Sequence, residues 1–477
     1  MDVSSVVRMS TPLYPVMDNA FLDVHWFFVP NRLVWDHWRE FCGENSDPWA
    51  QQTDYEIPNA TIECGFGDFF DHIGCPPETL MNVSALPWRG YNLIWNEWYR
   101  DQNLQSNQLV SKSDAANLGD SWPLLKVNKY KDYFTSCLPS PQKGDSVLLP
   151  LGEWAPVYTR NEQVPSDGSL IGLRWAHNSQ ATTASVLISG TAGIGTTVLG
   201  AASGATANTA EPTNLWADLG TATAATVNQL RQAFAIQRLL EADARGGTRY
   251  RELCKSHFGV DNGDARVQVP EYLGGKHIPI NVSQVIQQSA AANEPTPLGN
   301  TGAYSKTVDR GSMFTKSFTE HGYLIGLASV RTDHTYQDGI PRHLMRRTRY
   351  DYYWPELANI GEQPVYLSEI FASDVTNKII FGYQEPYADL RYSPNRVTGA
   401  FRSTSPQSLD VWHYADDYQS RPFLSSSWIA ETDENIARTL AVQDSEVADQ
   451  FICDIYFQTN WARPMPLYSI PGLAGHF

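Results

Sequence analysis

The chain has no apolar run long enough to cross a membrane. Its opening residues, MDVSSVV, have neither the charged start nor the apolar middle of a signal peptide. Cysteine is scarce, with only Cys42, Cys64, Cys75, Cys137, Cys254 and Cys453, and no two form a C-x-x-C pair. That leaves neither a disulfide framework nor a zinc ribbon, and the six read as thiols in a reducing cytoplasm. Cys64, His72 and Cys75 make a partial metal set, but a fourth ligand is missing and the spacing is wrong, so no metal site is assigned. Positive charge is also short, with 35 Lys and Arg against 52 Asp and Glu and a formal net charge of −17. Proteins that hold nucleic acid by their own charge are basic, because phosphate neutralisation supplies most of the non-specific affinity. This chain as a whole is not.

Catalytic signatures are absent too. There is no phosphate-binding glycine loop, no G-x-S-x-G, no H-E-x-x-H and no dinucleotide fingerprint. Asp36–His37, Glu320–His321 and Asp333–His334 set carboxylates beside imidazoles, but neighbours along a strand point to opposite faces. Asp416–Asp417 reads equally well as an exposed turn. No catalytic, cofactor-binding or metal-binding residue is assigned, and the chain is not read as an enzyme. From Trp175 to Ala210 even ordinary charge is missing: no Lys, Arg, Asp or Glu occurs. That segment of Ala, Thr, Gly and Ser is either a linker or, given its β-branched residues, a small hairpin-rich projection.

What the chain does have is core material: 42% hydrophobic and 12% aromatic residues, enough to exclude disorder throughout. The stretch from Thr11 to Asn45 organises it. Leu22, Val24, Trp26 and Phe28 alternate with Asp23 and His25 at the period of a strand, which Pro30 ends. Asn31 then stands at a helix N-cap, with Val34, Trp38 and Phe41 at helical spacing and Gly43 as the stop. Residues 45–85 read as loops with short strands, and residues 101–150 as a long excursion. Tyr91, Ile94, Trp95 and Trp98 share a helical face; such rings can form a carbohydrate platform, but core packing is the commoner use and the one adopted.

Thr226 and Gln229 form a capping box for a helix closed by Gly246 and Gly247, and a second helix runs from about Tyr250 to His257, stopping at Gly259. The mixed charges of this pair (Glu241, Asp243, Arg245, Arg249, Arg251) read as a solvated or subunit-facing surface. Beyond Pro270 the pattern is β again, with a buried strand over His321–Arg331 and an alternating one over Phe451–Phe457. Strands scattered this widely, with long connections, fit an antiparallel sandwich. One local cluster carries chemistry. Arg342, Arg346, Arg347 and Arg349 come with no acid among them and are followed by Tyr350, Tyr352, Tyr353 and Trp354. Arginine with rings grips single-stranded DNA, and the same residues are enriched at subunit interfaces; both readings stay open.

The run RMSTPLYPVMDN…FFVPNRLVWDHW resembles the start of the major capsid proteins of the Microviridae, small single-stranded DNA phages, in their gokushovirus branch. The resemblance recurs at LRQAFAIQRLLEADARGGTRYRE, DARVQVPEYLGG, FTKSFTEHGYLIGLASVRTD, FGYQEPYADLRYSPNRVTGAFRS and ARPMPLYSIPGL. It implies a mainly β fold: one eight-stranded antiparallel viral jelly roll over the whole chain, with long inserted loops and a few short helices. It implies self-assembly into a T=1 icosahedral shell around circular single-stranded DNA. The implied partners are identical copies, an internal scaffolding protein, a small basic DNA-binding protein and a pilot protein, with assembly in the bacterial host cytoplasm. Contact with the genome is then mostly indirect.

The resemblance fades between about Arg160 and Pro212, where family members carry an insertion that protrudes at the threefold axes. Residues 160–212 are therefore expected to form a variable surface protrusion for host attachment, with Val186, Leu187, Ile188, Val198 and Leu199 buried where three tips meet. Members also carry a longer segment before RMSTP, where only Met1 to Val7 stand here, which leaves open whether the first strand of the roll is complete. The rival reading is a secreted, aromatic-rich β-sandwich that binds or hydrolyses carbohydrate, which needs a paired-carboxylate cleft and a route of export.

Overall fold

A computed structural model describes residues 1–44, 54–116, 119, 121–147, 157–159, 173–177, 180–184, 215–217, 227–247, 249–260, 267–289, 298–372, 379–442 and 449–463. In chain order the strands are β1 (Asp2–Met9), β2 (Ala20–Pro30), β3 (Asn59–Glu63), β4 (Leu80–Ser84), β5 (Val157–Thr159), β6 (Leu173–His177), β7 (Gln180–Ala184) and β8 (Leu215–Ala217). They continue as β9 (Glu271–Pro279), β10 (Val282–Ile286), β11 (Thr301–Ser305), β12 (Thr307–Ser312), β13 (Gly322–Thr332), β14 (Gln363–Tyr366), β15 (Ile380–Gln384) and β16 (Phe451–Gln458). The helices are α1 (Trp38–Phe41), α2 (Phe69–His72), α3 (Leu86–Ile94), α4 (Val227–Gly246), α5 (Tyr250–Phe258), α6 (Arg342–Met345), α7 (Ser426–Ile429) and α8 (Glu434–Ala437).

The fold is strand-rich but mixed. Its sheets are small and antiparallel: two have three strands, in the orders β12-β1-β16 and β13-β2-β9, and the others have two. Among the described residues the strands do not join into the two four-stranded sheets of the expected roll. The chain divides into two compact units, one of Met1–Lys143 with Glu241–Phe477, the other of Gly144–Leu240. The second holds the antiparallel pairs β5–β8 and β6–β7. Val186, Leu187, Ile188, Val198 and Leu199 lie outside the described residues, as does Thr226 of the expected capping box.

The two three-stranded sheets face each other across the core of the first unit. Val7 of β1, Leu22, Val24 and Trp26 of β2 and Ile278 of β9 form one buried cluster, flanked by Val330 and Phe451. Burying each such side chain contributes about 1.5–3 kcal/mol, so this layer is a principal source of stability. β2 is covered on its other face too. Phe27 and Val29 pack there with Val34, Trp35, Leu86 and Ile94, beneath α3. Tyr91, Ile94 and Trp95 are buried as core, while Trp98 is half-exposed and gives its indole N–H to the Pro270 carbonyl. The platform face is thus mostly packing.

Some expectations are corrected. The helix expected over residues 31–41 is broken into a single 3-10 turn, Asn31–Leu33, and the short α1. Val34 and Trp35 are wholly buried, and the Trp35 indole donates to Asp114 at 2.8 Å, which draws the intervening chain onto the core rather than around a helix axis. Asn31 serves through its backbone carbonyl, which accepts from Val34 and Trp35, and not as a side-chain cap. Gly43 does end the segment, at φ 102°. β13 was expected to be buried, yet most of it is only half-covered, and β16 is largely exposed. Asp2–Met9 forms an eight-residue strand at the centre of its sheet. The helix ends were read correctly: α4 stops at Gly246, and α5 runs into Gly259 in the left-handed region at φ 69°.

Candidate interaction surface

The arginine-rich segment begins where Pro341, in extended conformation, precedes the single turn of α6. A 3-10 turn follows at Arg349–Asp351, closed by a capping box: the Asp351 carboxylate accepts from the N–H groups of Arg347 and Thr348 and from the Thr348 hydroxyl. Those backbone donors hold Asp351 below the usual carboxylate range. Pro355 then opens another 3-10 turn, a position where its missing N–H costs nothing.

This framework splits the four arginines into two pairs. Arg342 is turned inward: its guanidinium donates to Glu369 at 2.8 Å, to the Pro364 carbonyl at 3.0 Å and to the Tyr133 hydroxyl at 3.4 Å. Arg346 pairs with Asp389. The acids missing from the local sequence therefore arrive from 27 and 43 residues away. Arg347 is exposed, with no partner for its side chain among the described residues. Arg349 lies over the rings of Tyr350 at 5.4 Å and Trp354 at 5.3 Å, and its carbonyl accepts from the Trp354 indole. Tyr353 packs edge-on against the buried Tyr387 and leaves more than half its surface open.

The result is an exposed apron of Leu344, Tyr350, Tyr352, Tyr353 and Trp354, carrying two outward cations. The chemistry available is stacking and cation–π attraction; among the described residues no acid–base or nucleophile pair lies there. Local composition signalled the rings, but not which arginines stay free.

The other sequence-adjacent pairs are dispersed. His37 meets Asp114 rather than Asp36, Glu320 pairs with Arg32, His321 packs on Trp38, and Asp333 takes the Asn19 amide. Cys64 is buried with its thiol toward the Pro76 carbonyl, and Cys75 is half-buried. Of the mixed charges near α5, Arg245 pairs with Glu362, Arg249 with Glu97 and Glu252, and His257 with Asp243. Asp416 overturns the exposed-turn reading, being almost fully buried. It faces His334 Nδ1 at 3.0 Å, Lys129 Nζ at 3.5 Å and the Tyr418 hydroxyl at 2.9 Å, while His334 Nε2 reaches Glu431 at 3.1 Å. No spacing in the sequence announces this cluster, since its members are scattered from residue 129 to residue 431.

Comparison with known proteins shows the family of the chain. The family model for the phage capsid protein (F protein) matches residues 1–473. The chain belongs to that family. It is 42% identical over 498 residues to capsid protein VP1 of Spiroplasma virus 4, covering 99% of this chain and 89% of that protein. Similarity to capsid protein VP1 of Bdellovibrio phage phiMH2K is 40% over 485 residues, covering 100% and 90%. For capsid protein VP1 of Chlamydia phage 1 it is 37% over 536 residues, covering 98% and 89%. The gokushovirus kinship read from the sequence is borne out, and the protein is a structural component of the virion capsid, not an enzyme. The carbohydrate-directed reading is set aside.

Proposed function

We propose that this capsid protein closes, as identical copies, into a T=1 icosahedral shell around circular single-stranded DNA, each copy a jelly roll elaborated by its loops. The observation that carries the reading is the end-to-end family match, 1–473. Two three-stranded antiparallel sheets packed face to face, with sheet neighbours distant in sequence, support a roll. The mechanism is geometric: many modest contacts, repeated by symmetry, add up to a stable particle.

At −17 per copy the protein binds DNA only weakly, so packaging relies on a separate small basic protein, and assembly on an internal scaffolding protein; a pilot protein completes the particle. Assembly takes place in the host cytoplasm. The Arg347–Trp354 apron is assigned to contact between subunits, because two of the four arginines are already paired within the chain. Residues 160–212 are assigned to a surface protrusion that meets the bacterial host. Co-expression with the scaffolding protein tests the whole: closed shells are expected in negative-stain images, and a strictly monomeric chain at high concentration overturns the reading.

A further inference from the structure

The sheet β12-β1-β16 has one closed face and one open face. Along β1, Val3, Ser5, Val7 and Met9 are buried against the core, and the residues between them point the other way. Register fixes what stands beside them: Val308 and Asp454 flank Val6, Arg310 and Tyr456 flank Ser4, and Ile452 lies opposite Arg8. Residues directly opposite share a face. Val308, Ile452 and Tyr456 are 62%, 64% and 63% exposed, so the outer face carries an apolar strip with no cover among the described residues.

Soluble proteins guard the open edge of a sheet with charged side chains, proline or a bulge. Among the described residues β16, FICDIYFQ, is an edge strand with no lysine, proline or bulge and a single charge, Asp454, and its register with β1 runs unbroken from Asp2–Gln458 to Met9–Phe451. The charges point to the occupant. On a chain of −17, this face carries Arg8 and Arg310 against Asp2 and Asp454, a balance of zero. Like copies meet there without net repulsion. Asp2 and Arg8 also sit at opposite ends of one strand, so a second copy turned by half a rotation sets each acid over the other's arginine. This is the self-complementarity a twofold contact requires.

We infer that the outer face of β12-β1-β16 packs on the same face of a second copy across a twofold axis. The inference rests on the capsid reading and names one of its contacts. A face of three strands, eight, eight and six residues long, covers roughly 350 Å². That is about half of the ~800 Å² each partner gives to a stable pairwise interface, adequate for one of several contacts in a shell.

The test places a reporter at Val308→Cys, where trypsin releases residues 307–310 as a short peptide carrying one thiol. Maleimide labelling is compared between unassembled chain and shells separated by sedimentation. Labelling is expected to be rapid in the free chain and at least tenfold slower in shells. Equal rates overturn the inference while leaving the capsid reading intact, and slow labelling in the free chain overturns it by showing the face covered within one copy. Chains that never form shells remove the capsid reading itself, and this contact with it. As a second arm, Asp2→Arg and Arg8→Asp should each lower shell yield tenfold or more, and the double swap should restore it. Single swaps that assemble normally, or a double swap no better than either, refute the twofold pairing.

Discussion

Replacing His334 with glutamine perturbs the buried cluster at its centre. The imidazole is 2% exposed and meets a carboxylate at each nitrogen, Asp416 at 3.0 Å and Glu431 at 3.1 Å. Both nitrogens can donate only in the imidazolium form. Burial alone works against that charge, but the two carboxylates outweigh it and raise the His334 pKa to about 9. Burial likewise opposes the Asp416 carboxylate, which His334 and Lys129 nonetheless hold below its ordinary range.

A folded pKa of about 9 against ~6.5 unfolded means that protonation stabilises the fold by about 3.4 kcal/mol at most. Because the folded value is the raised one, that stabilisation is fully present below pH ~6.5, about 2.5 kcal/mol at pH 7, and lost as pH rises through about 9. Urea unfolding of the unassembled chain, followed by tryptophan fluorescence, measures it. Wild type should lose about 2.5 kcal/mol between pH 7 and 10. His334→Gln should already be destabilised by about 3 kcal/mol at pH 7, with Lys129 left to balance two buried carboxylates, and should lack this slope. A variant within 1 kcal/mol of wild type at pH 7, or an NMR titration of His334 near 6.5, refutes the reasoning.

Gly339→Ala should cost about 2–3 kcal/mol in the same urea assay, because a Cβ there overlaps the backbone carbonyl of Glu369; an unchanged midpoint shows that the two backbones have room to part. Replacing Arg347 and Arg349 with Ala should lower shell yield while leaving the salt dependence of the chain's weak DNA binding unchanged. A flattened salt slope instead assigns the apron to DNA. Exchanging residues 165–210 for a short Gly-Ser linker should leave shells intact and abolish adsorption to host cells. Loss of folding places the segment in the core, and normal adsorption removes its attachment role.

The sequence by itself determined what depends on near neighbours. β2 was legible because alternation and a terminating proline are local, and so were the stops at Gly43, Gly246 and Gly259, where glycine relieves the left-handed or cap geometry. Family membership was legible for a different reason, since several long blocks in fixed order leave little room for coincidence. β1 was missed although Val3, Val7 and Met9 carry the period of two, because serine at position 5 hides a buried position behind a polar side chain.

Tertiary structure alone decided the rest. It broke the expected helix after Pro30, since burying Val34 and Trp35 outweighs the propensity of a short segment. It brought Glu369 and Asp389 to two of four arginines that looked alike in sequence, and so chose which cations remain outside. It also turned Asp416 from a turn residue into the partner of a histidine 82 residues away. Charge pairing acts through space and leaves no period along the chain, whereas packing period and backbone geometry are written in consecutive residues.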